Sequence, residues 1–328
     1  MPNHDIIVIG TSTGGIHALQ TIVAALPENF PASVFAVLHT TEDNTGLLPP
    51  LLNKVSRVPA FYAVHNTPIL PGRIYLAPPG RHLLVERGRV RLSVGPRENR
   101  HRPAADVLFR SAALAYGARV IGVVATGHLD DGSSGLAAIK ARGGIAVVQA
   151  PDTALAPSMP RSAIDSADVD FILSLEEIGP KLVDLVMRSE YKISRGPQIA
   201  SVDSVKQTNA RFSCPECGGA LNDVHEGGMD RFRCRVGHTY SPESLFEDQS
   251  EALERALWAA IRSLEEHAEF SARLADKSAA RNHPTLTQRF RERATSSREH
   301  AGVLRELLEH AENPVELIEP SGEEATGT

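Results

Sequence analysis

Ser12 lies in Gly10-Thr11-Ser12-Thr13-Gly14-Gly15, directly after the apolar run Ile6-Ile7-Val8-Ile9. A sharp turn at the carboxyl end of a buried strand can lift a serine hydroxyl into the crevice above a sheet, and small neighbours keep the approach open. The first N–H groups of the helix that follows would face a developing oxyanion. The same strand–glycine–helix junction also suits a bound phosphate or a plain tight turn. It is neither Gly-x-Gly-x-x-Gly nor a P-loop, because no lysine follows. His39 comes directly after the next apolar run, Val34–Leu38, so it should emerge at the same sheet edge and could accept the serine proton. A third strand end, Val123-Val124-Ala125-Thr126-Gly127-His128-Leu129-Asp130-Asp131-Gly132, brings two carboxylates. Either Asp130 or Asp131 could orient the imidazole, and either could instead serve a helix N-terminus. The order Ser, His, Asp excludes the α/β-hydrolases, which run Ser, acid, His and draw part of the oxyanion hole from upstream of the serine.

A second constellation is Cys214-Pro-Glu-Cys217 followed by Cys234-Arg-Val-Gly-His238, a Cys-x2-Cys-x16-Cys-x3-His spacing. Two knuckles, each with two ligands, meet the tetrahedral thiolate and imidazole demand of structural zinc. The chain has 3 cysteines and all are used here, with Gly218-Gly219 where the first knuckle must turn. His225 is a weaker rival for the fourth ligand position. About thirty residues cannot bury enough apolar surface alone, so a metal would also answer a stability problem.

The elements that must carry these residues follow from periodicity. Apolar runs at Ile6–Gly10, Val34–Leu38, Arg73–Ala77, Val120–Val124 and Ile145–Gln149 alternate with helical stretches, among them His17–Leu26 and Gly135–Arg142. That alternation predicts an α/β fold, a doubly wound and mostly parallel sheet covered on both faces. His82–Ser93, with Gly88 at its centre, reads as an inserted β-hairpin. The predicted organisation is a catalytic domain over 1–190, a polar linker over 191–210, a zinc-ribbon-like module over 211–240, an α-helical hairpin over 241–313 and a disordered tail over 314–328. The hairpin's helices are expected at 244–276 and 285–311, with Asn282-His283-Pro284 as the break. Near-heptad apolar positions at Leu253, Leu257, Ala260, Leu264, Ala268 and Leu274, and at Phe290, Ala294, Ala301, Leu304, Leu308 and Ala311, would form the seam. Docking, dimerisation or a helical cap would each suit this hairpin, and Trp258 could anchor the contact.

The formal net charge of −6, from 34 basic and 40 acidic residues, argues against nucleic acid as partner. No apolar run is long enough to cross a bilayer. Met1-Pro2-Asn3-His4-Asp5 has no export-signal character, and an odd cysteine count excludes a disulfide scaffold, so a reducing cytoplasm is expected.

Seven segments together resemble one known family, the chemotaxis protein-glutamate methylesterases, over roughly residues 4–188. They are Ile9–Gly15, Leu26-Pro27-Glu28-Asn29-Phe30-Pro31, Val37-Leu38-His39, Pro71–Pro78, His101–Ser111, Thr126–Gly132 and Ser158–Ile164. The resemblance implies a serine hydrolase that removes methyl groups from glutamate γ-methyl esters on methyl-accepting chemoreceptors, releasing methanol, with receptor glutamine deamidation as a second activity. It places the nucleophile on Ser12, the general base on His39 and the orienting acid on Asp131, with no cofactor for catalysis and a cognate methyltransferase as a further partner. Backbone N–H groups near Thr13 and His128 are the expected oxyanion donors. Two departures from the family pattern stand out. Its Thr-Gly-Met-Gly-x-Asp-Gly loop has His128 and Leu129 here in place of the methionine and second glycine, and its amino-terminal phospho-receiver does not precede Ser12. Activation by a receiver in the same chain is therefore not expected. The rival readings are a non-catalytic signalling adaptor and a hydrolase of small-molecule esters.

Overall fold

The computed structural model describes residues 4–39, 46–187, 212–226 and 229–311. The predicted linker over 191–210 and the tail predicted to be disordered over 314–328 lie outside these residues. The chain divides into two compact units, Met1–Phe246 and Glu247–Thr328.

The first unit opens with β1 (Ile6–Thr11), α1 (Gly15–Ala24), β2 (Ser33–Leu38), α2 (Leu48–Asn53), β3 (Ala60–Tyr62) and β4 (Arg73–Leu76). A hairpin of β5 (His82–Glu86) and β6 (Arg89–Ser93) follows, then α3 (Ala105–Tyr116), β7 (Val120–Val124), α4 (Ser133–Ala141) and β8 (Ile145–Gln149). Next come α5 (Ser158–Ser166), β9 (Phe171–Leu173) and α6 (Leu175–Met187). Seven strands form one sheet in the order β3-β4-β2-β1-β7-β8-β9, and every pairing in it is parallel. Because both faces are covered, the strands read as continuous apolar runs. Ile7 and Ile9 point into a core with Leu19, Ile22, Ile178 and Leu182. Ile6 and Val8 point the other way, toward Leu108, Phe109 and Leu136. The predicted hairpin is present, with Gly88 at φ +79° in its turn. The edge strands β3 and β9 escape sequence reading because three residues are too few to display a period.

Strand order reverses at β1, which has β2 on one side and β7 on the other. Crevices of parallel sheets open at such a reversal, beyond the carboxyl ends of the strands. Ser12, His39 and the Thr126–Gly132 loop all lie there.

The same unit contains a small three-stranded antiparallel sheet, β10 (Leu221–Glu226), β11 (Met229–Cys234) and β12 (Thr239–Tyr240). It has a core of its own, formed by Cys214, Leu221, Cys234, Tyr240 and Leu245.

Two helices, α7 (Pro242–Ala280) and α8 (Pro284–Ala311), form the predicted hairpin. The first runs four residues beyond the expected end. Its seam also differs from expectation. Leu253 is exposed, and Ile261, Ala268, Ser271, Ala275 and Ser278 carry the buried face in place of Ala260 and Leu274. Ala294, Ser297, Ala301 and Leu308 answer from α8. The 4-3-4-3 spacing continues unbroken through serines, so a reading restricted to apolar residues slipped by one position. His267 and Ser297 hydrogen-bond across the pair at 3.0 Å. Trp258 is 46% exposed and bonds Glu254 on its own helix.

Candidate active site

The strand registers bring the candidate residues together. Thr11 pairs with Leu38, so the next residues on the two strands are Ser12 and His39. The His39 N–H continues the ladder by donating to the Thr11 carbonyl at 3.1 Å. On the other side, Ser12 N–H donates to Thr126 O at 2.9 Å, and the Thr126 hydroxyl donates to Thr13 O at 2.8 Å. The serine turn and the loop after β7 are thereby zipped together. Gly14 takes φ +79°, a left-handed conformation that releases the chain into α1.

His39 Nε2 lies 2.7 Å from Asp131 Oδ2, with both side chains almost fully buried. Asp131 is saturated with donors. Its Oδ2 also accepts Ala105 N–H at 2.6 Å, and its Oδ1 accepts Asn99 Nδ2 at 3.0 Å and Asp106 N–H at 3.1 Å. Burial alone would raise the carboxyl, but the hydrogen bond and charge of His39, with these N–H donors, hold it well below the usual carboxylate range. An ionised Asp131 requires the Nε2 position of His39 to carry the proton. Nδ1 is then the basic nitrogen, and it is buried with no hydrogen bond among the described residues. The Ser12 hydroxyl likewise makes no hydrogen bond among them. Close approach of α3 to β1 makes this possible: a Cβ on Gly10 would come within 2.6 Å of Ala105 Cβ. That glycine lets the α3 N-terminus deliver two N–H groups to Asp131.

The two adjacent carboxylates have different roles. Asp130 accepts the Ser244 hydroxyl at 2.8 Å at the start of α7, and burial raises its pKa. Asp131 alone faces His39. His101, not singled out from sequence, stacks on His39 with ring centroids 3.6 Å apart, and burial with the neighbouring His39 charge lowers its pKa to about 3. It therefore stays neutral through the physiological range. Asp106 accepts Gly132 and Gly135 N–H at 3.1 and 2.6 Å, capping α4. Burial pushes its pKa up to about 7 against the pull of Arg231. Each of its oxygens receives only N–H donors, so the geometry is that of a carboxylate. Asn99, Asp106 and Arg231 were missed in sequence because they belong to no spaced motif and meet only in three dimensions. The nearest signal was the His101–Ser111 string, which contains Asp106.

Thr13 follows Ser12 and His128 follows Gly127, which packs close to Ser12, and the backbone N–H groups of Thr13 and His128 donate no hydrogen bond among the described residues. The His128 side chain is exposed. Gly127 is tightly enclosed: an added Cβ would lie 2.1 Å from Met159 Sδ and 2.9 Å from Ser12 Cβ. Gly127→Ala should therefore lower the melting midpoint, by about 1–3 kcal/mol of stability, and displace Ser12, which calorimetry and kcat would report together.

Cys214, Cys217, Cys234 and His238 place their ligand atoms within 4.8 Å of one another. Cys217 and Cys234 sulfurs are 3.7 Å apart, and His238 Nδ1 lies 3.6 and 3.5 Å from Cys214 and Cys234 sulfurs. A tetrahedron with ~2.3 Å metal–sulfur bonds has edges of about 3.8 Å, so the donor set fits zinc. Gly218 and Gly237, at φ +69° and +108°, turn the two knuckles. His225 is exposed, pairs with Asp230, and is not in the cluster.

A family model described as CheB methylesterase matches residues 7–182. The chain belongs to the CheB methylesterase family. A protein of Leptospira interrogans is 42% identical over 184 residues, covering 56% of this chain and 95% of that relative. In Xanthomonas oryzae pv. oryzae, a protein named protein-glutamate methylesterase/protein-glutamine glutaminase 1 is 40% identical over 54% of this chain. The match covers 52% of that relative, so the chain spans about half its length. The crystal structure of the Thermotoga maritima CheB methylesterase catalytic domain superposes with a TM-score of 0.54 at 34% identity, covering 56% of this chain and 99% of that one. All of these matches concern the sheet domain. The ribbon and helical hairpin lie beyond the residues that the CheB methylesterase model matches.

Proposed function

We propose that this chain is a protein-glutamate methylesterase acting on methyl-accepting chemoreceptors through Ser12, His39 and Asp131. The observation that carries the reading is the saturated Asp131 carboxylate, which fixes the His39 tautomer and leaves Nδ1 without a hydrogen-bond partner among the described residues, on the strand next to the one that ends at Ser12. His39 Nδ1 takes the Ser12 proton as Oγ attacks the γ-ester carbonyl, and the N–H groups of Thr13 and His128 hold the resulting oxyanion. Collapse breaks the ester C–O bond, and His39 returns the proton to the departing methoxide, giving methanol and an acyl-serine. Water then attacks the acyl carbon as His39 accepts its proton, and on collapse the C–Oγ bond breaks while His39 returns that proton to Ser12 Oγ, releasing the glutamate side chain, which ionises to its carboxylate. Asp131 stabilises the imidazolium in both halves and stays ionised throughout. With a carboxamide in place of the ester the same steps release ammonia, which is the glutaminase activity in the names of the relatives. No cofactor enters these steps.

The Cys214, Cys217, Cys234 and His238 set holds a structural zinc, on the tetrahedral spacing of its donors. Among the described residues no helix is long and apolar enough to cross a membrane. A cytoplasmic enzyme meeting the signalling ends of receptors, opposed by a cognate methyltransferase, suits this reading. Ser12→Ala should abolish fluorophosphonate labelling and lower methanol release from methylated receptor by roughly 10⁴–10⁶. Unchanged methanol release would overturn the assignment, and Ser12 labelling without release from receptors would direct it to small-molecule esters.

A further inference from the structure

We infer that the ribbon is a positioning element of the triad: Arg231 fixes the Asn99 amide against Asp131, so that metal binding by the ribbon governs turnover.

Arg231 lies on β11 and is 1% exposed, one of the largest fully buried side chains. Its Nη2 reaches Glu98 Oε1 at 2.8 Å and donates to Asn99 Oδ1 at 2.9 Å. Its Nη1 donates to Ser134 Oγ at 3.1 Å and lies 3.3 Å from Asp106 Oδ2. A cation has thus been carried from the ribbon into the acid cluster behind the active site. Asn99 is the link. Its Nδ2 donates to both Asp131 Oδ1 and Asp106 Oδ2, while its Oδ1 accepts Arg231 and the Ser241 N–H. A carboxamide has two orientations of nearly equal shape and opposite polarity. Arg231 accepts nothing, so it selects the orientation that turns the NH₂ toward the carboxylates. With the amide reversed, its oxygen would face Asp131 Oδ1 and remove one of the donors that keep the acid ionised and aligned on His39.

A second contact holds the same loop. Asn99 N–H donates to Thr239 O at 2.9 Å and Thr239 N–H to Arg97 O at 3.3 Å. His101, stacked on His39, follows two residues later. Both contact points adjoin metal ligands: Arg231 is three residues before Cys234, and Thr239 follows His238. Cys234 and His238 close the connection between β11 and β12, so a metal held there sets the spacing of the two strands that grip the loop. A module of this size depends on its metal for its fold, and the grip should depend on it too.

This inference rests on the esterase reading, and the test separates the two. In the full chain, Arg231→Met should lower kcat for methanol release, and the rate of Ser12 labelling, by about tenfold or more. KM should stay within about twofold and bound zinc should remain near one per chain. Arg231→Lys, which keeps the cation, should recover most of the rate, and the exposed Arg235→Gln should match wild type. Stripping zinc from wild type with a chelator should reproduce the loss, whereas stripping Arg231→Met should add little because the grip is already broken. Zinc-loaded Arg231→Met at the wild-type rate would overturn the inference, as would a stripped wild-type protein at full rate. Absence of Ser12 labelling in the wild type would instead mean that the esterase reading has failed.

Discussion

Asp131→Asn should lower kcat for methanol release by about 10³–10⁴, while Asp130→Asn leaves it within a few-fold. The carboxylate at 131 accepts four N–H groups, two on each oxygen. An asparagine can satisfy only one pair. If its NH₂ faces His39, then Nε2 must accept and the proton moves to Nδ1, which removes the basic nitrogen proposed to act on Ser12. If the NH₂ turns the other way, it meets the donors of Asn99 and Asp106, at about 1–3 kcal/mol for each group left unsatisfied. Steady-state kinetics on the pair of variants tests this, and equal losses in both would contradict the assignment. The pH dependence separates the two residues further. The Asp131 pKa is depressed in the folded chain, so its contribution to stability is present at neutral pH and is lost only as pH falls below the ordinary carboxylate range. Burial raises the Asp130 pKa, so the folded chain loses stability as pH rises from the ordinary carboxylate range up to that raised value. Asp130→Asn should therefore lose less melting temperature than wild type as pH rises out of the ordinary carboxylate range, which thermal melts across pH would report.

Loss of the metal is the second large effect. Cys234→Ser should reduce bound zinc from near one per chain to well below that ratio, weakening affinity by more than the 10–100-fold of an outer-shell change. Structural zinc contributes about 10–16 kcal/mol of apparent binding free energy in small modules, and that free energy is folding free energy. Amide exchange over 212–240 should accordingly rise to the unprotected rate in the variant and in chelator, while the buried strands β1 and β7 keep their protection. The small cluster of Leu221, Tyr240 and Leu245, left without its sulfur ligands drawn together, is too small to hold the three strands. Full zinc content or undiminished protection in Cys234→Ser would remove the metal assignment.

Much of this was legible because it is local. The Cys214, Cys217, Cys234 and His238 cluster is two short knuckles, each fixed by a spacing of a few residues, and His225 lies on a strand away from it. The parallel sheet was legible from its buried strands, whose apolar runs are the direct result of cover on both faces. The helical hairpin was legible as two helices but not in its seam, since Ser271, Ser278 and Ser297 fill buried positions that an apolar pattern passes over. Strands β3 and β9 were too short to have a pattern at all.

The choice between Asp130 and Asp131 shows where such reading stops. The two residues are adjacent and chemically identical, and family resemblance rather than spacing pointed to Asp131. In the fold, α3 lies against Gly10 and aims its first N–H groups at Asp131, whereas Asp130 turns to Ser244 at the start of α7. Arg231 shows the same limit over a greater distance. As sequence it is one of two arginines on a short strand; as structure it is a buried cation between Glu98 and Asp106. Sequence by itself picked out the candidate catalytic residue types, the strand ends that bear them and the cysteine–histidine knuckles, because these depend on neighbours along the chain. The tertiary structure alone decided which carboxylate serves His39, which way Asn99 faces and what holds it there. Those depend on which distant segments exclude water together, and burial is what turns a nearby N–H or charge into a committed partner.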